Sequence, residues 1–404
     1  MRIQNLSGGR AIASVMLLTV AQTMPARSQP LHAFVEAAAS RNPEISTLKG
    51  RRDAIGARQQ AADALTPGAP TLSGSYMTDQ LIRNRNQREA QIGVSTPIWL
   101  PGEGTASRGM ADAELTRSQA RANAQMLRVA GQVRDALADF ALARAEVSVS
   151  ERRLRETRAL EADVSRRAQS REAAEADLLL ARAERLSADG DLRGQRSVLE
   201  QSKLEFQSLT GLLPPAAIAL ETLPPELGVV HPSLEDAKGA IAVAHANQRL
   251  VGIQNRDSPE IGVVVRRNRD IGGNVYDNSI GVELRIPFAT EARNTPKRMA
   301  AQADLLEASA GYAATEREIV TEQQKARVHY DNALATRDLS RERAVTLARQ
   351  SALVGRGYQG GQLSLLDNLR ARSLAFDAEA AKARADIGVQ RAIGRLNQAF
   401  GIVP

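Results

Sequence analysis

The 404 residues are 43% hydrophobic but only 3% aromatic, and 53 Lys and Arg against 46 Asp and Glu give a formal net charge of +7. This apolar content excludes disorder of the whole chain, and the absence of cysteine excludes disulfides, thiolate metal ligands and a cysteine nucleophile. The basic balance would suit a nucleic acid or an anionic membrane, yet Arg and Glu are interleaved as on solvated helix faces, so no nucleic-acid partner is expected.

At the start, Arg2 and Arg10 precede an apolar run from Ala11 to Ala21, and Met24-Pro25-Ala26 supplies a small residue for cleavage. Residues 1–26 are therefore expected to be a signal peptide, with cleavage placed approximately, and the chain to be exported. No later apolar run approaches the ~20 residues of a membrane-spanning helix.

The remainder reads as a duplication with an offset of 190, residues 27–213 followed by 231–404, joined by a Pro-rich linker at 214–230. Ile92, Val94 and Pro97 correspond to Val282, Leu284 and Pro287, Asp177 to Asp367, and Gly211 to Gly401. Each half opens with partly alternating segments of strand length, near 71–78 and 89–98 and again near 260–267 and 278–287, joined by polar connectors. Four strands cannot close a membrane barrel, so either several chains share one barrel or the sheet is a soluble cap on a coiled coil.

Pro97 and Pro287 mark the change from strand to helix. No proline falls between Gly102 and Leu213 or between Lys297 and Val403, which leaves room for helical hairpins at 103–211 and 297–401. Met126, Val133, Phe140, Val147 and Leu154 recur every seven residues, and Leu305, Tyr312 and Ile319 begin the same rhythm in the second half. A helix from 103 to 168 would be ~98 Å long, so each stretch must fold back, at Arg166–Asp177 and at the glycine-rich Arg356–Asp367. The expected fold is mainly α with a small β part: long antiparallel coiled-coil hairpins plus four antiparallel strands.

The strand endings Ser95-Thr96-Pro97-Ile98 and Arg285-Ile286-Pro287-Phe288, the tip segments Asp177–Ala183 and Gly361–Asp367, and the helix ends Leu209-Thr210-Gly211 and Phe400-Gly401 together resemble the TolC-like outer-membrane factor family. The run from Tyr276 to Phe288 is similar to its heavy-metal efflux branch. The resemblance implies a homotrimer whose strands form a twelve-stranded barrel in outer-membrane lipid, above a periplasmic helical tunnel. It also implies a periplasmic adaptor and an inner-membrane resistance-nodulation-division pump as partners, and no enzymatic activity of the duct itself.

By the same resemblance Asp177 and Asp367 are candidate gate residues at the periplasmic tip, with Arg370 where a further acidic residue would fall. Capping of the returning helices is the competing reading of both aspartates. Arg171 replaces a frequent glycine in the first tip turn, so the second turn, with Gly360 and Gly361, is expected to be the more flexible. The interval from Asn247 to Glu260 is shorter than that from Asn42 to Thr71, which predicts a curtailed helix before the third strand. A heavy-metal cargo would pass through without a dedicated metal site, since His32, His231, His245 and His329 lack ligand spacing. Gly355, Gly357 and Gly360 match GxGxxG but follow a helical pattern, so no nucleotide or other cofactor is expected. The alternative function is a periplasmic coiled-coil scaffold, or a channel for drugs or secreted protein.

Overall fold

The computed structural model describes residues 31–82, 85–215, 221–224 and 230–404; the expected signal peptide lies outside them. The first half runs α1 (Leu31–Arg41), α2 (Pro43–Ala62), β1 (Thr71–Thr78), β2 (Arg88–Pro97), α3 (Glu103–Gln169) and α4 (Glu175–Thr210). The second runs α5 (Pro232–Ile253), β3 (Glu260–Arg269), β4 (Asp277–Arg285), α6 (Glu291–Gln359) and α7 (Leu365–Ala399). All four strands form one antiparallel sheet in the order β1-β2-β3-β4, so the halves are stitched together along β2 and β3.

Two expectations require correction. The helix before the third strand is not curtailed: α5 has 22 residues against 20 in α2. Asn42 matches His231, not Asn247. Asn42 caps α2 by accepting from the Glu44 and Ile45 amides, with Pro43 in the first turn. His231 caps α5 through Nδ1, which accepts from the Ser233 amide at 3.2 Å, with Pro232 in the same place. Desolvation holds the His231 pKa below its ordinary value, which keeps Nδ1 available as an acceptor at a helix N-terminus where a cation would be disfavoured. The second correction concerns α6, which starts at Glu291 and runs through Pro296. The proline sits in the second turn, where its fixed φ suits a helix and only one backbone bond is lost. Asn294 anchors the preceding turn by donating to the Asn255 carbonyl.

With 67 and 69 residues, α3 and α6 are each ~100 Å long. Laterally the helices run α4, α3, α7, α6: α3 packs on α4 and α7, and α7 also packs on α6. The heptad residues Val133, Phe140, Val147 and Leu154 are buried, as the seven-residue rhythm requires. In α6 the rhythm is buried only at small residues such as Ala326, while Met299, Leu306, Val320, Leu339 and Leu353 stay exposed.

The main apolar cluster joins Phe34, Val35 and Ala38 of α1 to Val129, Ala130 and Val133 of α3 and Phe206 of α4, with Phe34 and Phe206 edge to face at 5.2 Å. Beside it, the nearly buried Arg134 is satisfied on every side. Its Nε donates to Glu221 at 2.8 Å, Nη1 to Gln398 at 2.8 Å and Nη2 to the Ile402 carbonyl at 3.0 Å. Asn397 donates to Glu221 and to the Thr222 carbonyl, so one guanidinium ties α3, the linker and the end of α7 together.

Removing one member of a buried pair strands the other. Arg134→Ala is therefore expected to lower unfolding stability by about 3–5 kcal/mol, against about 1 kcal/mol or less for Arg196→Ala, which breaks the exposed pair to Glu151. Denaturant unfolding of the two variants checks this, and equal losses would contradict the hub.

Candidate functional site

Strand alternation and register sort the sheet into two unlike faces. Leu72, Val94, Val263 and Val282 lie in one cross-strand row, and Gly74, Ile92, Val265 and Ile280 in the next. Ile261 and Leu284 extend the same face. These side chains face outward and no described residue covers them: Leu72 is 76% exposed, Val282 75% and Ile280 77%. The opposite face carries Ser73, Ser75, Glu89, Gln91, Ser95, Glu260, Arg266, Ser279 and Glu283, with Arg266 paired to Glu89 at 3.0 Å.

An exposed apolar sheet face backed by a polar one is the pattern of a barrel with lipid outside and water inside. The strands have 8 to 10 residues, close to the length that crosses a bilayer when tilted. Within the chain β1 and β4 each pair on one side only. Among the described residues no helix is long and apolar enough to cross a membrane.

Pro97 closes β2 opposite Glu260, and the next amide, Ile98, donates to the Pro259 carbonyl at 2.7 Å. Pro287 falls two residues past the end of β4, in the link to α6. Trp99 is fixed by packing, its indole N–H donating to the Ala64 carbonyl at 3.0 Å. Tyr76, by contrast, stands exposed on the apolar face.

At the far end of the helices the two hairpins turn at 170–174 and 360–364. Both turns have the same backbone. Arg171 has φ 64° and Gly361 φ 73°, and the Glu172 amide reaches the Arg167 carbonyl as Gln362 reaches Gly357, each at 2.8 Å. The second turn is thus no different in form, and Gly360 has an ordinary φ of −80°. The GxGxxG glycines lie in the last turns and C-cap of α6, without the strand that a dinucleotide site requires.

Ser364, which the sequence reading passed over, caps α7. Its Oγ accepts from the Asp367 amide at 3.1 Å and donates to the Asp367 carboxylate at 2.6 Å. The Ser-x-x-acid spacing of a capping box was the available signal. In the first half the equivalent cap is Ala174, so Asp177 lies in the first turn of α4 with no capping bond from its side chain. Asp367 and Arg370 are both exposed and do not pair with each other within the chain.

The tips meet through apolar contact among Leu160 and Val164 of α3, Ala181 of α4 and Leu365 of α7. The Arg167 guanidinium lies 5.2 Å from the Tyr358 ring centre and is held by Asp163 at 3.1 Å. Burial raises the Tyr358 pKa, keeping the phenol neutral beside this cation. Among the described residues no three His, Asp or Glu side chains converge as metal ligands would.

Residues 223–402 match the outer membrane efflux protein family model. This efflux-protein match covers the second half of the duplication, and the backbone of the first half repeats it element for element from α2 to α4. No curated protein sequence matches the chain. Among solved structures, VceC from Vibrio cholerae superposes with a TM-score of 0.73 at 17% identity, over 93% of this chain and 97% of that one. CusC, a protein described in terms of transmembrane channel formation, gives 0.75 at 18% over 92% of each chain. The open-state outer membrane channel MtrE from Neisseria gonorrhoeae gives 0.70 at 18%, over 92% and 89%. The fold is thus that of the outer-membrane efflux channels.

A left-handed non-glycine costs about 1 kcal/mol or more, part of which glycine regains. Arg171→Gly is therefore expected to be neutral or to stabilise by up to about 1 kcal/mol, whereas Gly361→Ala destabilises by about 1 kcal/mol. Thermal melting of the two variants checks the opposite signs.

Proposed function

We propose that this chain is the outer-membrane exit duct of a tripartite efflux pump, a passive channel from periplasm to exterior. The observation that carries the reading is the exposed apolar face of a sheet whose two margins lack partners within the chain. A bilayer leaves no backbone polar group unpaired, so such a sheet is completed by further copies of itself. Three copies give the twelve strands of the family resemblance. The helical layer supports the same assembly, because α4 and α6 are its outer members and α6 exposes apolar residues along its length.

The helical tips are then the periplasmic entrance, where an adaptor protein and an inner-membrane resistance-nodulation-division pump dock. Export would be directed by the segment at 1–26. The cargo is assigned to heavy-metal cations on the resemblance of residues 276–288 to that branch. Deleting the gene and testing divalent metals, dyes and antibiotics separates this from a drug channel: unchanged metal tolerance with lost drug tolerance rejects the metal cargo.

The membrane reading is tested on the sheet. Val263→Arg puts a charge in the apolar face, at a cost of about 2–4 kcal/mol near mid-bilayer, whereas Ser75→Arg puts one on the polar face. Val263→Arg should sharply reduce heat-stable trimers in outer-membrane extracts and Ser75→Arg should not; equal recovery would reject a lipid-facing sheet.

At the tip, Asp177, Asp367 and Arg370 are assigned to a charged constriction repeated around the ring, with Asp367 also in the α7 cap. Asp367→Asn retains an acceptor for the Ser364 hydroxyl and removes the charge. Higher ion leak or lower cation selectivity in planar bilayers is expected, and identical conductance and selectivity would leave Asp367 only its cap.

A further inference from the structure

Past its apolar rows, the outer face of the sheet changes abruptly toward the hairpin loops. Arg267 follows Val265 two residues on, on the same face, and Arg269 follows Arg267; Arg88 is the direct cross-strand partner of Arg269. Two guanidiniums lie against one ring, with the Tyr276 centre 4.4 Å from Arg267 Cζ and 4.9 Å from Arg269 Cζ. Arg269 also donates to the Asn86 carbonyl at 3.0 Å and to its side-chain oxygen. None of the three arginines has a carboxylate partner among the described residues. The strand carboxylates Glu89, Glu260, Asp277 and Glu283 all alternate to the other face.

Like charges directly opposite each other on a sheet are unfavourable. On the helices, by contrast, Arg153, Arg158, Arg185 and Arg196 form a ladder of ion pairs with carboxylates across α3 and α4. Arg88, Arg267 and Arg269 thus concentrate positive charge on one sheet face that carries no strand carboxylate. A neighbouring subunit is poorly placed to supply the missing charge, because β2 and β3 are the central strands and an adjoining strand begins about two strand spacings, ~10 Å, away.

We propose that Arg88, Arg267 and Arg269 form a site for the phosphate groups of a lipid headgroup. The proposal rests on the reading that the apolar face lies in the membrane. The acyl chains would lie along the Ile92, Val265 and Ile280 row, and the phosphates would meet the guanidiniums one and two rows higher. Arginine suits this role because its planar fork holds two phosphate oxygens at once, and Tyr276 keeps two of the forks in place. The rim at the hairpin loops is on the side away from the helices, so the leaflet concerned is the external one.

The test uses the purified full-length channel in neutral detergent, with native mass spectrometry of retained lipid. The probes are diphosphorylated lipid A, the same lipid after enzymatic removal of its phosphates, and inorganic phosphate as competitor. Wild-type protein should retain the phosphorylated lipid at least tenfold better than the dephosphorylated one. The triple variant Arg88→Gln, Arg267→Gln, Arg269→Gln should lose that preference, and Arg266→Gln, on the opposite face of the same strand, should keep it. Equal retention of the two lipids by wild type overturns the site without any variant having to fold. Displacement by millimolar phosphate overturns the lipid assignment in favour of a soluble anion. Outer-membrane fractionation of the wild type is scored first: absence from that membrane defeats the underlying reading, whereas presence with no phosphate preference defeats this site alone.

Discussion

The structure depends on backbone hydrogen bonding at the margins of one small sheet. Inside the chain β2 and β3 are paired on both sides, while β1 and β4 each leave one row of N–H and C=O groups without a strand. In water such edges invite aggregation, and in lipid they are prohibitively costly. In the helical layer α4 packs on α3 and α1, and α6 packs on α7 and α5. In the proposed assembly a repeated subunit would complete the sheet and continue the helical layer.

Within the chain, rigidity comes from two different sources. About midway along α3, apolar packing around Phe34 and Phe206 combines with the Arg134 hub to fix the linker between the halves. Further down, apolar clusters around Leu154 and Leu192 and around Val164 and Leu365 are flanked by ion pairs such as Arg158 with Asp189 and Arg384 with Glu146. Exposed pairs contribute little individually. They do specify which helix lies beside which, and in which vertical register, without adding apolar surface to a wall that must remain wetted.

Much of this was legible in the sequence because it is local or periodic. Proline-free stretches gave the long helices, alternation gave the strands to within two residues, and the repeat at 190 located both tips. Where the reading went wrong, a local signal had been given the wrong weight. Asn42 was matched with another asparagine, although what α2 and α5 share is a capping side chain followed by proline, which His231-Pro232 supplies. Pro296 reads as a boundary in the sequence but falls where a helix tolerates it. In both tip turns the same six-residue hydrogen-bonded closure imposes the left-handed backbone, on Arg171 as on Gly361, a likeness that the residue types do not reveal. The Arg134–Glu221 contact spans 87 positions with no periodic trace, so only the folded chain reveals it.

The linker has a topological meaning as well. Glu221 on the linker, Arg134 in the first half and Ile402 beyond the last helix converge on one point, while β2 and β3 hold the halves together elsewhere. Covalent continuity between the halves passes through that single strap, and every other bond between them is non-covalent. The subunit is in this sense a tethered pair of half-length proteins, and a closed ring of three would be a six-fold arrangement of related parts in which alternate members are free to diverge.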